Sequence, residues 1–250
     1  MTVLDIKGSL SKILVLCFKD MRLYYFKGPT IVMGVLMPMF LWLAFVIGAK
    51  FSLVKGLPML IVISSFFTSS SITPIIMPWE TRQRTLEMLL SRPVTIYTIL
   101  FGTALASTFF GMFISSILVC IGLLLNLVPY DPALLVLGVV ISSLCYSFMG
   151  LLFAAIPSDV PADTVLLSSA IRLPILFISG IFIPIQNLPY YITPLAFLSP
   201  LTYFADLIKY IYYCDSLLDP LMDLIVLSFL TVIFMILALF ANKATLMKRL

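Results

Sequence analysis

The sequence predicts an all-α integral membrane protein with six transmembrane helices. An amphipathic interfacial helix precedes them, a second amphipathic helix joins the second span to the third, and short re-entrant helices come before the last span. Three observations carry this. Of the 250 residues, 62% are hydrophobic and 10% charged. A soluble chain of this size has no core large enough to hide that much apolar surface, so the solvent for most of it is lipid. Apolar stretches at 30–49, 57–77, 97–127, 133–156, 164–183 and 221–241 are each about as long as the ~20 residues a bilayer needs, or longer. The basic residues are also unevenly placed. If these stretches alternate across a membrane, Lys7, Lys12, Lys19, Arg22, Lys27, Arg82, Arg84, Arg92, Lys243, Lys248 and Arg249 share one side, and Lys50, Lys55 and Lys209 share the other. The positive-inside rule then places both termini in the cytoplasm, in a multi-pass protein of the cell membrane.

Composition also narrows the function. There is no histidine, so Ser-His and metal-His chemistry are excluded. Cys17, Cys120, Cys145 and Cys214 lack C-x-x-C or other metal spacing and read as small buried hydrophobes or bystander thiols; no metal site is expected. Asp159 and Asp163 lie four apart, but Pro161 between them opposes a helical carboxylate pair. No G-x-S-x-G is present, and an intramembrane enzyme is a minor alternative. The net charge of +4 is spread over membrane-flanking segments. It argues for topology, with no nucleic-acid partner. The apolar run Leu14 to Phe18 is too short and too charged around for a secretory signal, so the first true span directs insertion.

Residues 1–28 form the amphipathic interfacial segment, and residues 29–250 the six-span domain. In the first segment Val3, Ile6, Leu10, Ile13, Leu14, Cys17, Phe18, Met21, Tyr24 and Tyr25 recur at steps of three and four between basic residues. Gly28-Pro29 ends it and opens the first span, which Pro38 can kink. The second span carries a hydroxyl-rich middle, Ser64, Ser65, Thr68, Ser69, Ser70, Ser71 and Thr73. Small residues permit close helix packing. The alternative is a wall of a substrate path, with Ser65, Thr68 and Ser69 as candidates. Arg172, about 12 Å into the fifth span at 1.5 Å per residue, is the other candidate on that path. It can snorkel to the inner surface or pair structurally instead, and on the snorkelling reading Arg172→Lys is silent.

From Pro78 to Pro93 runs the densest charge in the chain. At helical spacing Trp79, Leu86, Leu89 and Leu90 share one face, and Glu80, Arg84 and Glu87 follow each other on another, stapled by pairs worth about 0.2–0.5 kcal/mol. That predicts one helix over 79–93, ended by Pro93. It either lies flat as an interfacial helix or is gripped by a soluble partner, with Leu86, Leu89 and Leu90 filling the partner's groove. Further on, residues 184–213 are apolar but broken by prolines, and hold six of the eleven tyrosines. Interfacial or re-entrant helices on the outer side are expected there.

The run Glu80 … Thr85-Leu86-Glu87 … Leu90 … Pro93 resembles the cytoplasmic coupling segment of ATP-binding-cassette exporter permeases of the second type, the superfamily of daunorubicin-resistance and polysaccharide-export permeases. The family usually has glycine where Arg84 stands. Ser179-Gly180-Ile181-Phe182-Ile183-Pro184, then Asn187-Leu188-Pro189 and Ser199-Pro200-Leu201-Thr202-Tyr203, are similar to the same family's passage from the fifth span into two short external helices. Asp206 and Lys209 stand where members often carry an acid and then arginine. The resemblance implies a permease subunit, not itself an enzyme, forming half of a translocation path as a homodimer or beside a related permease, in contact with membrane lipid. It implies a coupling helix at 79–93 in which Trp79, Glu80, Arg82, Arg84, Thr85, Leu86, Glu87, Leu89 and Leu90 meet a cytoplasmic ATPase subunit. It further implies an external gate region holding Ser179, Gly180, Pro184, Asn187, Leu188, Pro189, Pro200 and Leu201. No G-x-x-x-x-G-K-[ST] loop is present. The chain is therefore expected to hold no cofactor, and ATP and magnesium belong to the partner. The expected cargo is hydrophobic or amphiphilic, a drug-like compound or lipid. The alternatives are a lipid-linked glycan or polysaccharide, or a six-span transporter or scaffold without an ATPase.

Overall fold

The structure is a computed structural model and describes residues 3–25, 27–50, 52–92, 94–156 and 160–249. For residues 3–9, 29, 161 and 246–249 it describes the backbone alone. Pro93 and the loop residues Pro157, Ser158 and Asp159 lie outside the described residues, as do the side chains of Val3, Ile6, Lys7, Lys248 and Arg249.

All regular structure among the described residues is helical. Helix α1 (Val3–Asp20) runs on as a π-turn to Tyr25, and a second chain of turns links α2 (Gly28–Ile31) through Val32–Leu36 to α3 (Met37–Gly48). Then come α4 (Leu53–Ser70), α5 (Thr73–Arg82), α6 (Thr85–Leu90), α7 (Ile96–Leu124), α8 (Pro132–Ala154) and α9 (Pro161–Ile178). After a 3₁₀ turn at Ile185–Asn187, α10 (Thr193–Leu198), α11 (Pro200–Tyr213) and α12 (Pro220–Arg249) complete the chain. Local chemistry sets many of these limits. Asp131 Oδ1 caps α8 by accepting from the amides of Ala133 and Leu134 at 3.0 and 3.1 Å, with Pro132 at the first helical position. Thr95 caps α7 and Ser199 caps α11 in the same manner.

Four helical stretches are long and apolar enough to cross a membrane: Leu53–Arg82, Ile96–Leu124, Pro132–Ala154 and Pro220–Thr245. The apolar helix Val32–Gly48 is shorter. The expected fifth span is α9, 18 residues long and interrupted by Arg172 and Pro174. Around this bundle the outward faces are apolar: Phe109, Phe113, Ile117 and Leu124 on α7, and Ile225, Phe229, Ile236 and Phe240 on α12 are exposed. An exposed apolar belt of this kind is what lipid, rather than water, solvates.

The second span is not one straight helix. Pro74 has no amide hydrogen to give the preceding turn, and the ladder breaks at Ser71-Ile72, so α4 and α5 meet at a kink. Around that kink the hydroxyl-rich segment is packed shut, with Ser65, Thr68, Ser69, Ser70 and Thr73 fully buried. Thr68 and Ser70 donate back to the carbonyls of Ser64 and Phe66 at 2.6 Å. Gly150 of α8 comes so near that a Cβ there would stand 2.8 Å from the Ser70 carbonyl oxygen and 3.1 Å from Ser70 Cα. Gly111 of α7 similarly faces Ser69. Small residues here let three helices approach backbone to backbone.

Of the tyrosines after residue 184, Tyr190, Tyr191 and Tyr213 are exposed, while one side of α11 enters the core: Leu201, Phe204, Leu207 and Ile211 are fully buried, and Tyr203 is buried with its hydroxyl on the Phe197 carbonyl at 2.6 Å. Proline spacing marked the breaks correctly but could not show which piece turned inward.

Candidate functional site

Residues 79–92 form two helices that meet at a corner. Gln83 caps α5 and Arg84 has φ +56°, in the left-handed region, before α6 begins. A non-glycine residue there is sterically strained, which explains why glycine suits the position before Thr-Leu-Glu. The expected Glu80–Arg84–Glu87 stripe on one helix is therefore corrected, because the corner takes Arg84 and Glu87 off the line of Glu80. Thr85 Oγ1 donates to the Glu80 carbonyl at 3.2 Å and ties the two helices across the turn. Since Arg84 sits in no helix, Arg84→Gly should carry no helix penalty. We expect it to raise thermal stability by up to about 1 kcal/mol through relief of the left-handed strain. Calorimetry of the purified protein checks this, and a lower melting temperature would contradict it.

The two faces of this corner are sharply unequal. Leu86 is fully buried against Met77, Leu100 and Leu151, while Leu89 and Leu90 are half-buried in the same cluster. Leu86 thus holds the corner to its own bundle and does not stand free to enter a partner's groove, while Leu89 and Leu90 keep part of their surface open. Trp79, Arg82, Arg84, Glu87 and Met88 are exposed, with Met88 at 64%. Met88 was not singled out by helical spacing across 79–93. Restarting the helix at Thr85, with Leu86, Leu89 and Leu90 inward, turns Met88 outward.

Glu80 is buried and forms an ion pair with Lys19 of α1. Lys19 Nζ also lies 3.1 Å from Asp20 Oδ1, and Asp20 Oδ2 accepts from Thr103 Oγ1 of α7 at 2.7 Å. Burial alone would lower the Lys19 ammonium, but the two carboxylates beside it outweigh that and hold it above its ordinary value. Burial pushes the Asp20 carboxyl upward, against the pull of Lys19 and Thr103. The cluster thus ties α1, the corner and α7 together. A long-range pair of this kind leaves no spacing signal in the sequence.

At the kink, Arg172 is buried, 2% exposed, so of the two structural alternatives it pairs within the bundle and does not snorkel. Its Nε donates to the Ser168 carbonyl at 3.1 Å, one terminal nitrogen to Ser168 Oγ at 2.8 Å, and the other to Ser71 Oγ. The guanidinium lies 5.7 Å from the centre of the Phe67 ring. Arg172 therefore bolts α9 to the break between α4 and α5. Ser65, Thr68, Ser69 and Arg172 come together in the packing and bracing of the bundle.

At the other end of the bundle, α9 stops at Ser179, whose hydroxyl donates to the Leu176 carbonyl at 2.7 Å, and the chain reverses at Gly180 with φ +79°. Lys209 Nζ donates to the Gly180 carbonyl at 2.8 Å. Asp206 accepts from the amides of Leu217 and Leu218 at 2.9–3.1 Å and so fixes the turn into α12. Pro184, Asn187 and Pro189 are exposed and Leu188 is half-buried, whereas Pro200 and Leu201 are buried at the start of α11. The expected gate residues thus divide into a surface loop and a core helix end.

The chain thus has an anchored polar corner, apolar outward helices and a broken, glycine-reversed segment before the last helix. A family model described as "ABC-2 type transporter" matches residues 11–213, and the chain belongs to that family. It is a multi-pass membrane protein. Over 164 residues it is 27% identical to the probable multidrug ABC transporter permease YbhR of Escherichia coli strain K12, and equally to the protein of that name from Escherichia coli O157:H7. The match takes in 65% of this chain and spans 44% of the length of these relatives.

Proposed function

We propose that the chain is the transmembrane permease subunit of an ATP-driven exporter, working as a pair of six-span subunits in the cell membrane with both termini in the cytoplasm. ATP and magnesium are held by a separate ATPase subunit. The cargo is a hydrophobic or amphiphilic compound, in keeping with the multidrug permease named among its relatives. The observation that carries this reading is the corner at 79–92 within the family match: an exposed patch of Trp79, Arg82, Arg84, Glu87 and Met88 on a base that is buried through Leu86 and clamped through Glu80.

Such a corner suits force transfer. A partner pressing on α6 cannot bend it away from α5 without pulling Leu86 from its cluster and breaking the Thr85 bond to the Glu80 carbonyl, while Glu80 on α5 stays clamped to Lys19. The push therefore passes along α5 to the Ser71-Ile72 kink, where Arg172 and Gly150 engage α9 and α8. Closure of the ATPase subunits then tips whole helices between inward- and outward-open arrangements.

The test is co-purification with the ATPase. Met88→Asp places a charge on the exposed patch, so it should leave the melting temperature nearly unchanged. Burying a methionine against a partner is worth roughly 1.5–3 kcal/mol, so the substitution should weaken ATPase binding about tenfold or more. Full co-purification and full substrate-stimulated hydrolysis with Met88→Asp would overturn the docking face.

A further inference from the structure

The end of the bundle remote from the corner holds a cavity of about 580 Å³, a size that accommodates a drug-sized ligand. Phe45, Met59, Val62 and Phe182 give it an apolar wall, with the rings of Phe45 and Phe182 4.7 Å apart. Its rim is polar, with Gln186, Tyr213 and Ser216 beside four charged groups. Lys209 lines the cavity from α11, and Lys55 and Asp215, both exposed, also line it. Asp206 lines it too, but its oxygens accept from the amides of Leu217 and Leu218. Lys209 carries three donors, and Gly180 accepts one of them. Burial works against its charge, which Asp206 and Asp215 support. A partly buried ammonium with donors to spare, set beside an apolar slot, calls for a charged acceptor carrying an apolar body.

We infer that this cavity binds a single-chain amphiphile ending in an anionic group, with the tail along Phe45, Met59, Val62 and Phe182 and the acid at Lys209. Lys55 is the second cation available to it. The inference rests on the export reading only in placing the cavity on the outer side. Binding is measured on the permease alone, so a failure of ATPase docking and a failure of this site remain separately visible.

The sequence has two tryptophans. Trp42 donates from its indole nitrogen to the carbonyl of Gly56, a cavity residue, at 2.6 Å, while Trp79 lies at the opposite end. In Trp79→Phe protein, indole emission therefore reports on the cavity. The probe is a dibrominated stearate, whose bromines quench indole, titrated at about pH 8, where a carboxylic acid is ionised. Its methyl ester has the same tail without the charge. The acid should quench saturably and bind at least about tenfold more tightly than the ester, and Lys209→Met should bring the acid down to the ester's level. Val62→Phe, which narrows the slot and leaves the charges alone, should weaken acid and ester alike. Equal quenching by acid and ester, or undiminished quenching in Lys209→Met, would overturn the inference. If Lys209→Met does not fold, unweakened binding in Val62→Phe would overturn it equally.

Discussion

Gly150→Ala, the addition of one methyl group, should destabilise the protein by about 1–3 kcal/mol. The new Cβ would stand 2.8 Å from the Ser70 carbonyl oxygen and 3.1 Å from Ser70 Cα. Both are backbone atoms at the kink, with no rotamer to change. Helix α8 must therefore retreat from the junction of α4 and α5, loosening the edge contact of Tyr146 with Phe66. For a chain of this length the melting temperature should fall by on the order of 2–10 °C. Gly48→Ala is the matched control: nothing lies within 4 Å of its added Cβ, and alanine favours the helix it would join. The two substitutions should shift thermal unfolding in opposite directions, and an unshifted Gly150→Ala would mean that the close approach is not maintained in the membrane protein.

Arg172→Lys should be clearly damaging, by about 2–4 kcal/mol, since hydrogen bonds to a charged group are worth about 1.5–3 kcal/mol each and lysine recovers only part of the set. The guanidinium divides its donors between the Ser168 carbonyl and hydroxyl on its own helix and Ser71 on the other side of the contact. A single ammonium cannot span those positions, and being more strongly hydrated it is costlier to bury. Arg172→Met keeps most of the stem and removes the charge, while the serines can turn back to their own helix carbonyls. We expect methionine to melt closer to the parent protein than lysine does. Lysine melting with the parent would return Arg172 to the snorkelling position that its depth in the span allows.

How much could be read from the sequence depends on how local each feature is. Apolar runs and proline breaks are local, and they placed α7, α8 and the start of α12 to within three residues, whereas α9 ends five residues before the expected limit and α12 runs eight residues past it. The split at Arg84 also had a local mark, the arginine standing where glycine is usual, but a continuous helical stripe through Trp79, Leu86, Leu89 and Leu90 masked it. That stripe also reversed the accessible face, hiding Met88. The partners of Glu80 and Arg172 lie 61 and 101 residues away, so no spacing rule reaches them. Likewise, the hydroxyl-rich run in the second span fits either a packed seam or a polar path. The glycines that let it pack closely, Gly111 and Gly150, are on other helices.

On the proposed reading, the exposed side of the 79–92 corner meets an ATPase subunit on the cytoplasmic side. Photocrosslinking in native membranes tests it most directly, with the reactive residue placed at position 82, 88 or 187 in turn. We predict that positions 82 and 88 capture a chain carrying a G-x-x-x-x-G-K-[ST] loop and that position 187, in the loop after α9, does not. Capture of that chain from 187, or its absence at both 82 and 88, would contradict the claim.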